Sequence, residues 1–160
     1  MKGAASGRLV ENVWVLLKEA ARHVLRHPVV GVAVAARCPA GRWLLIRRRD
    51  TGQWALPGGT LEWGETLGGA ARRELLEEAG VDVLSEPELC GVYSSPERDY
   101  RFHAVTILVT ASVSEPHTAP CNSLEILEVG LFDSADLPAS LSLGMSDMLR
   151  DARAGRRAFE

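Results

Sequence analysis

The stretch from Gly58 to Val81, GGTLEWGETLGGAARRELLEEAGV, constrains this chain more than any other part of it. Arg73, Glu74, Glu77 and Glu78 fall within six residues and are followed at once by Gly80-Val81. The i, i+3 and i+4 spacing predicts three carboxylates along one side of a helix, within reach of a common point. Like charges so placed repel, so the cluster costs stability unless cations sit among them. Hard oxygen ligands with no accompanying His or Cys suit Mg²⁺, with Mn²⁺ as a substitute, and not zinc. Upstream, Leu56-Pro57-Gly58-Gly59 predicts a loop whose backbone can approach a ligand closely, because glycine carries no side chain. Acidic helical turns are more often solvated faces than sites. A glycine-rich loop leading straight into this one makes it a candidate site for a metal-bound phosphate ester.

A chain of 160 residues is long enough to bury a proper core and fits one domain. Its apolar share of 46% and charged share of 24% are those of an ordinary globular protein. A formal charge of −3 gives no global reason to expect a nucleic-acid partner, although arginines cluster locally at 47–49 and 153–157. Cys38, Cys90 and Cys121 are odd in number and widely spaced, which predicts reduced thiols, a cytoplasmic location and neither a disulfide framework nor a zinc site. No apolar run approaches the roughly 18 residues of a membrane span. Glu11, Asn12 and Lys18 interrupt the apolar stretch near the start, so no secretion signal is expected.

Apolar positions 9, 13, 16, 17, 20 and 24 predict a helix over about Leu9–Leu25, stopped by Pro28 and carrying Trp14 on its buried face. Val29 to Ala36 and Trp43 to Ile46 read as strands, joined by a turn at Pro39-Ala40-Gly41. Arg47-Arg48-Arg49 leaves the second strand toward the glycine loop, where the guanidinium fork matches phosphate oxygens, though such triplets more often face solvent. Thr66 or a neighbour is expected to cap the central helix, Leu67, Ala71 and Leu75 to form its buried face with the carboxylates on another side, and Gly80 to end it in a left-handed cap. Strands are expected at Val81–Val83, Leu89–Tyr93, Phe102–Val113 and Glu125–Phe132, and a final helix over about Leu141–Ala154. Element order alone gives a mixed α/β fold.

The central stretch resembles the signature box of the Nudix hydrolases, G-x5-E-x7-R-E-U-x-E-E-x-G-U, where U is a bulky aliphatic residue. Gly59, Glu65, Arg73-Glu74, Leu75, Glu77-Glu78, Gly80 and Val81 fill every fixed position. The resemblance covers roughly residues 28–153 and implies an α/β/α sandwich with a mixed sheet. It leaves residues 1–27 as a tail and extra helix before a Nudix domain over 28–160.

What the resemblance implies is hydrolysis of a nucleoside diphosphate linked to another group. Glu74, Glu77 and Glu78 would hold divalent ions, helped by the Gly58 or Gly59 carbonyl, with Glu62 nearby. Arg73 would pair with Glu65 and orient the ligands. The general base stays open between Glu74 and Glu125, with Glu128 and Glu97 as further candidates. Pro96 lies fifteen residues beyond Val81, as in members that hydrolyse ADP-ribose, and Tyr93-Ser94-Ser95-Pro96-Glu97-Arg98-Asp99 is similar to their loop. Arg47, Arg48, Tyr93, Pro96, Glu97 and Arg98 are thus the candidate substrate contacts, and Tyr100 or Phe102 could stack on a base. The sequence lacks the tract associated with NADH pyrophosphatases and the tyrosine of dinucleoside polyphosphate hydrolases, since Arg98 stands at that place. ADP-ribose or another nucleoside diphosphate sugar is the first expectation. A nucleoside triphosphate or a capped RNA end is the alternative, and a nucleotide sensor without catalysis a third. A homodimer, with the N-terminal helix at its interface, is the assembly the resemblance suggests testing.

Overall fold

The computed structural model describes Lys18, residues 27–120 and residues 124–160, so the expected helix over 9–25 and Cys121 lie outside the described residues, Lys18 apart. Val29–Arg37 forms β1 and Trp43–Arg48 forms β2. Two short strands follow, β3 at Trp54–Ala55 and β4 at Gly58–Thr60, then the helix α1 at Leu67–Ala79. Strands β5 (Glu88–Tyr93), β6 (Ala104–Ser112) and β7 (Ile126–Phe132) precede a 3₁₀ turn at Ser142–Gly144. Helix α2 (Met145–Arg153) and strand β8 (Ala158–Phe159) complete the order.

The strands make one mixed sheet in the order β3-β2-β1-β6-β5-β8, with β4 also paired to β1 and β7 to β2. The β1–β6 and β5–β8 pairs are parallel and the others antiparallel. Alternation along the central strands divides the core. Val32, Val34, Ala36, Leu44 and Ile46 pack toward Ala71, Leu75 and Ala79 of α1. Ala33, Ala35, Trp43 and Leu45 pack the other way, toward Met148 and Leu149 of α2. Burial on both faces explains why β1 reads as an unbroken apolar run. The α/β/α sandwich is therefore as the family resemblance implies, and no helix among the described residues is long and apolar enough to cross a membrane.

Several local expectations need correction. Val81–Val83 is not a strand; only an isolated bridge joins Val83 to Val113. The final helix does not run on from Leu141, because Leu143 and Gly144 both take left-handed backbone (φ 54° and 67°) and break it before Met145. Thr66 caps α1 as expected, accepting from Gly69 N–H at 3.1 Å, and the Gly68-Gly69 pair lies inside the helix. Gly80 provides the left-handed C-cap (φ 63°). The buried face of α1 includes Glu74 and Glu78 as well as Ala71 and Leu75, while Leu67 is only half-buried. The carboxylates do not occupy a separate, solvated side.

Candidate active site

The box helix presents its glutamates to β4. Gly59 and Glu74 meet so closely that a Cβ at residue 59 would overlap the Glu74 carboxylate. A Cβ at Gly58 would likewise overlap the Val32 carbonyl, and with φ at 154° only glycine fits there without strain. Gly58 N–H donates to Glu78 Oε2 at 2.8 Å. Glu78 is only 4% exposed and Glu74 only 8%. Burial pushes the Glu78 carboxyl up to about 8, against the Gly58 hydrogen bond and with help from Glu74 and Glu125. Burial also raises Glu74, while Arg73 opposes the shift.

Arg73 organises this wall. Its Nε and one terminal nitrogen form a fork on Glu65 at 3.0 Å each, and that second nitrogen also donates to Thr60 O at 3.2 Å. The other terminal nitrogen donates to Glu74 at 2.8 Å and Glu77 at 3.4 Å. The guanidinium thus ties the strand after the glycine loop to the helix, and sits between two carboxylates that would otherwise repel.

Opposite lies a cleft of about 730 Å³ whose other side is basic, with Arg48, Arg49, Arg98 and Arg101 among its lining. Arg48 forks onto Asp50 (3.0 and 2.8 Å), and Arg101 forks onto the buried Asp99 (2.9 and 2.7 Å) while reaching Asp50 at 3.4 Å. Arg101 also lies over the Phe102 ring, 5.1 Å from its centroid. Leu143, Met145 and Phe102 add apolar surface to the same cleft. A buried acidic wall facing an arginine wall is suited to an anion bridged to the acidic side by cations.

A family model described as NUDIX domain matches residues 25–152. The chain belongs to the Nudix family. A stretch of 73 residues is 45% identical to an ADP-ribose pyrophosphatase of Methanocaldococcus jannaschii, covering 44% of this chain and 43% of that protein. Another of 67 residues is 39% identical to human diphosphoinositol polyphosphate phosphohydrolase 2, covering 42% and 37% respectively. The aligned parts are therefore less than half the length of these curated relatives. The crystal structure of a MutT NUDIX hydrolase from Burkholderia pseudomallei superposes with a TM-score of 0.67 at 30% identity, over 79% of this chain and 98% of that one.

The Nudix box residues fit a divalent ion in an open site. Among the described residues no three acidic, His or Cys side chains converge as a ready cage, because Arg73 draws Glu74 and Glu77 while Glu78 turns to Gly58. This differs from the common point expected of the three carboxylates, and its cause is the guanidinium between them. Mg²⁺ needs only one or two carboxylates and completes its shell with water and substrate phosphate. Two buried carboxylates packed against the Gly58-Gly59 backbone are hard oxygen donors of the kind such a site needs.

Of the other candidates, Glu125 lines the cleft and Glu62 is exposed on the loop, where its N–H donates to Glu65 at 3.2 Å. Arg48 enters the cleft, but Arg47 does not: it binds Gly52 O at 3.0 Å and lies 3.6 Å from Glu128. Strand alternation and a bulge between the two residues, where β2 pairs with β7, separate them. Pro96 and Glu97 are exposed outside the cleft. Tyr93 is 2% exposed, its hydroxyl donating to Asp151 at 2.9 Å in the core beneath α2, so it offers no face to a ligand. Arg98 lines the cleft. The sequence reading missed Asp50, Asp99, Arg101 and Leu143. Only the Asp99-x-Arg101 spacing, which lets the two side chains meet across a turn, was a usable local signal.

Proposed function

We propose that this chain is a divalent-metal-dependent hydrolase of the pyrophosphate bond in a nucleoside diphosphate derivative, with ADP-ribose or a related nucleotide sugar as substrate. The observation that carries the reading is the pairing of walls: buried Glu74 and Glu78 on the box helix face Arg48 and Arg101 across one cleft. Bound Mg²⁺ or Mn²⁺ would neutralise phosphate charge and help to ionise water.

Glu74 and Glu78 would hold that ion, with Glu77 and the Gly58 or Gly59 carbonyl completing the protein's share. Arg73, itself tied to Glu65, fixes the rotamer of Glu74 and keeps Glu77 near it. Arg48 and Arg101, oriented by their aspartates, would bind the phosphate oxygens remote from the helix. Glu125, which lines the cleft close enough to raise the Glu78 carboxyl, is the residue beyond the helix suited to take a proton from water; Glu74 is the candidate on the helix. Phe102 and Leu143 would meet the apolar part of the nucleoside. The M. jannaschii relative supports ADP-ribose. The human one is named for a diphosphoinositol polyphosphate, so the matched stretch supports the reaction class more than the substrate.

Product release with Mg²⁺ or Mn²⁺ across ADP-ribose, UDP-glucose, GDP-mannose, NADH, a diadenosine polyphosphate and the common nucleoside triphosphates tests the reading. AMP and ribose 5-phosphate from ADP-ribose, with triphosphates intact, is the expected result. Triphosphates cleaved to monophosphates would refute the substrate class, and no turnover of any compound would refute the reaction.

A further inference from the structure

Glu160, just after β8, does not line the cleft but contacts Arg98, which does. The Glu160 carboxylate accepts from Ser94 N–H at 3.0 Å and Ser95 N–H at 3.1 Å, and pairs with Arg98 Nε at 2.7 Å. Its backbone carbonyl takes the Ser94 hydroxyl at 2.9 Å, and its N–H donates to Val92 O at 3.0 Å. Upstream, an Arg156–Asp151 ion pair and a Cys90 thiol bond to Arg156 O (3.4 Å) fasten the same segment to α2 and β5. This strap grips the start of the loop that carries Asp99, Arg101 and Phe102 into the cleft.

Arg98 is the hub of the grip. A guanidinium has five N–H donors. Here one goes to Gly144 O at 3.0 Å, two to Asp147 at 3.0 and 2.7 Å, and two to Glu160 at 2.7 and 3.2 Å. It therefore has no donor left for a phosphate, and its presence in the cleft wall serves another purpose. Gly144 follows Leu143, the only described non-glycine residue with left-handed backbone. Such a conformation is strained for a leucine and persists only where the surroundings over-determine it. The Arg98–Gly144 bond is one such restraint, and Leu143 lines the cleft.

We propose that Glu160 is a positioning residue for the substrate site: through Arg98 it sets both the Asp99–Phe102 loop and the Leu143 corner. The proposal rests on the cleft being the nucleotide site of the reading above. Glu160→Gln keeps an acceptor for the Ser94 and Ser95 N–H groups but removes the charge that holds Arg98; Glu160→Ala removes both. In the full chain, KM for the best substrate of the panel rises about fivefold in the Gln variant and about tenfold in the Ala variant, with kcat within about twofold of wild type. Calorimetric Kd for ADP-ribose in the metal-free protein rises by the same factors. Glu115→Gln, which breaks an exposed ion pair with Arg42 outside the cleft, leaves both constants unchanged.

A lowered Tm in the Glu160 variants with KM and Kd unmoved would make the strap a stabilising feature only and overturn the proposal. A wild type that binds ADP-ribose without hydrolysing any compound would refute the hydrolase reading alone, and the Kd comparison would still decide the role of Glu160. A wild type that neither binds nor turns over would overturn both.

Discussion

On the box-helix side of the cleft, Glu74 and Glu78 are buried with less positive charge than they need, and burial raises both carboxyls. On the opposite side, Arg48, Arg98 and Arg101 each rest on a carboxylate, and those hydrogen bonds raise all three guanidinium groups while lowering Asp50, Asp99 and Asp147. The first wall holds charge at a cost to the fold, to be relieved by a cation. The second is internally paired, so it would orient a ligand more than capture one. Functional sites tend to carry their strain where binding relieves it. On the proposed reading that place is the helix, not the arginine loop.

The contrast breaks most sharply at Glu78. Glu78→Gln should lower kcat by roughly 10³-fold, since a neutral amide is a poor ligand for a divalent ion. The same change should stabilise the metal-free protein, with the sign fixed by the shift from 4.5 to about 8. A carboxyl whose folded pKa is raised contributes stability that is complete below pH 4.5 and is lost as pH rises through about 8. The variant escapes that loss, so by roughly pH 8.5 it should be more stable than wild type by about 2–4 kcal/mol, read from urea melts in EDTA. An unchanged or lowered stability would mean that Glu78 is not a strained group.

Gly59→Ala comes next. Its Cβ would displace the Glu74 carboxylate, and a ligand moved by about 1 Å costs roughly 10²-fold in kcat. Thermal unfolding and steady-state kinetics on one preparation would separate a misplaced carboxylate from a damaged fold.

The paired wall should respond more weakly. Arg101→Lys loses the fork on Asp99 and should raise KM about fivefold with little change in kcat. An equal loss in kcat would move Arg101 from orientation to the chemical step. The smallest effect is in acid. Asp99 and Asp147 are lowered by Arg101 and Arg98, so their stability contribution is present above the ordinary carboxylate range and is lost as pH falls through their depressed values. Asp99→Asn should flatten that acid limb of the Tm–pH curve and leave the alkaline limb intact.

What the sequence revealed follows from range. The box was legible because Glu65, Arg73, Glu74, Glu77 and Glu78 interact through a helix and its cap, where spacing dictates geometry. The sheet was legible because alternation in β1 and β2 is local too, although ending β2 at Ile46 hid which of Arg47 and Arg48 would enter the cleft. The burial of Glu78 was not legible: it depends on Gly58, twenty positions away, closing over the helix. Arg98 meets Asp147 at a separation of 49 residues and Glu160 at 62, through a two-residue strand too short to carry a pattern. Tyr93 sits beside the candidate substrate loop in sequence, but strand alternation sends it into the core. Leu143 gave no signal, since leucine seldom adopts left-handed backbone.

The most direct measurement is product analysis of ADP-ribose incubated with wild type and with Glu78→Gln, each with Mg²⁺ and then with EDTA. The account predicts AMP and ribose 5-phosphate from the wild type with Mg²⁺ alone, and almost none from the other three mixtures. Equal product release by the variant, or release by the wild type that EDTA does not suppress, would contradict a metal site built on the buried wall.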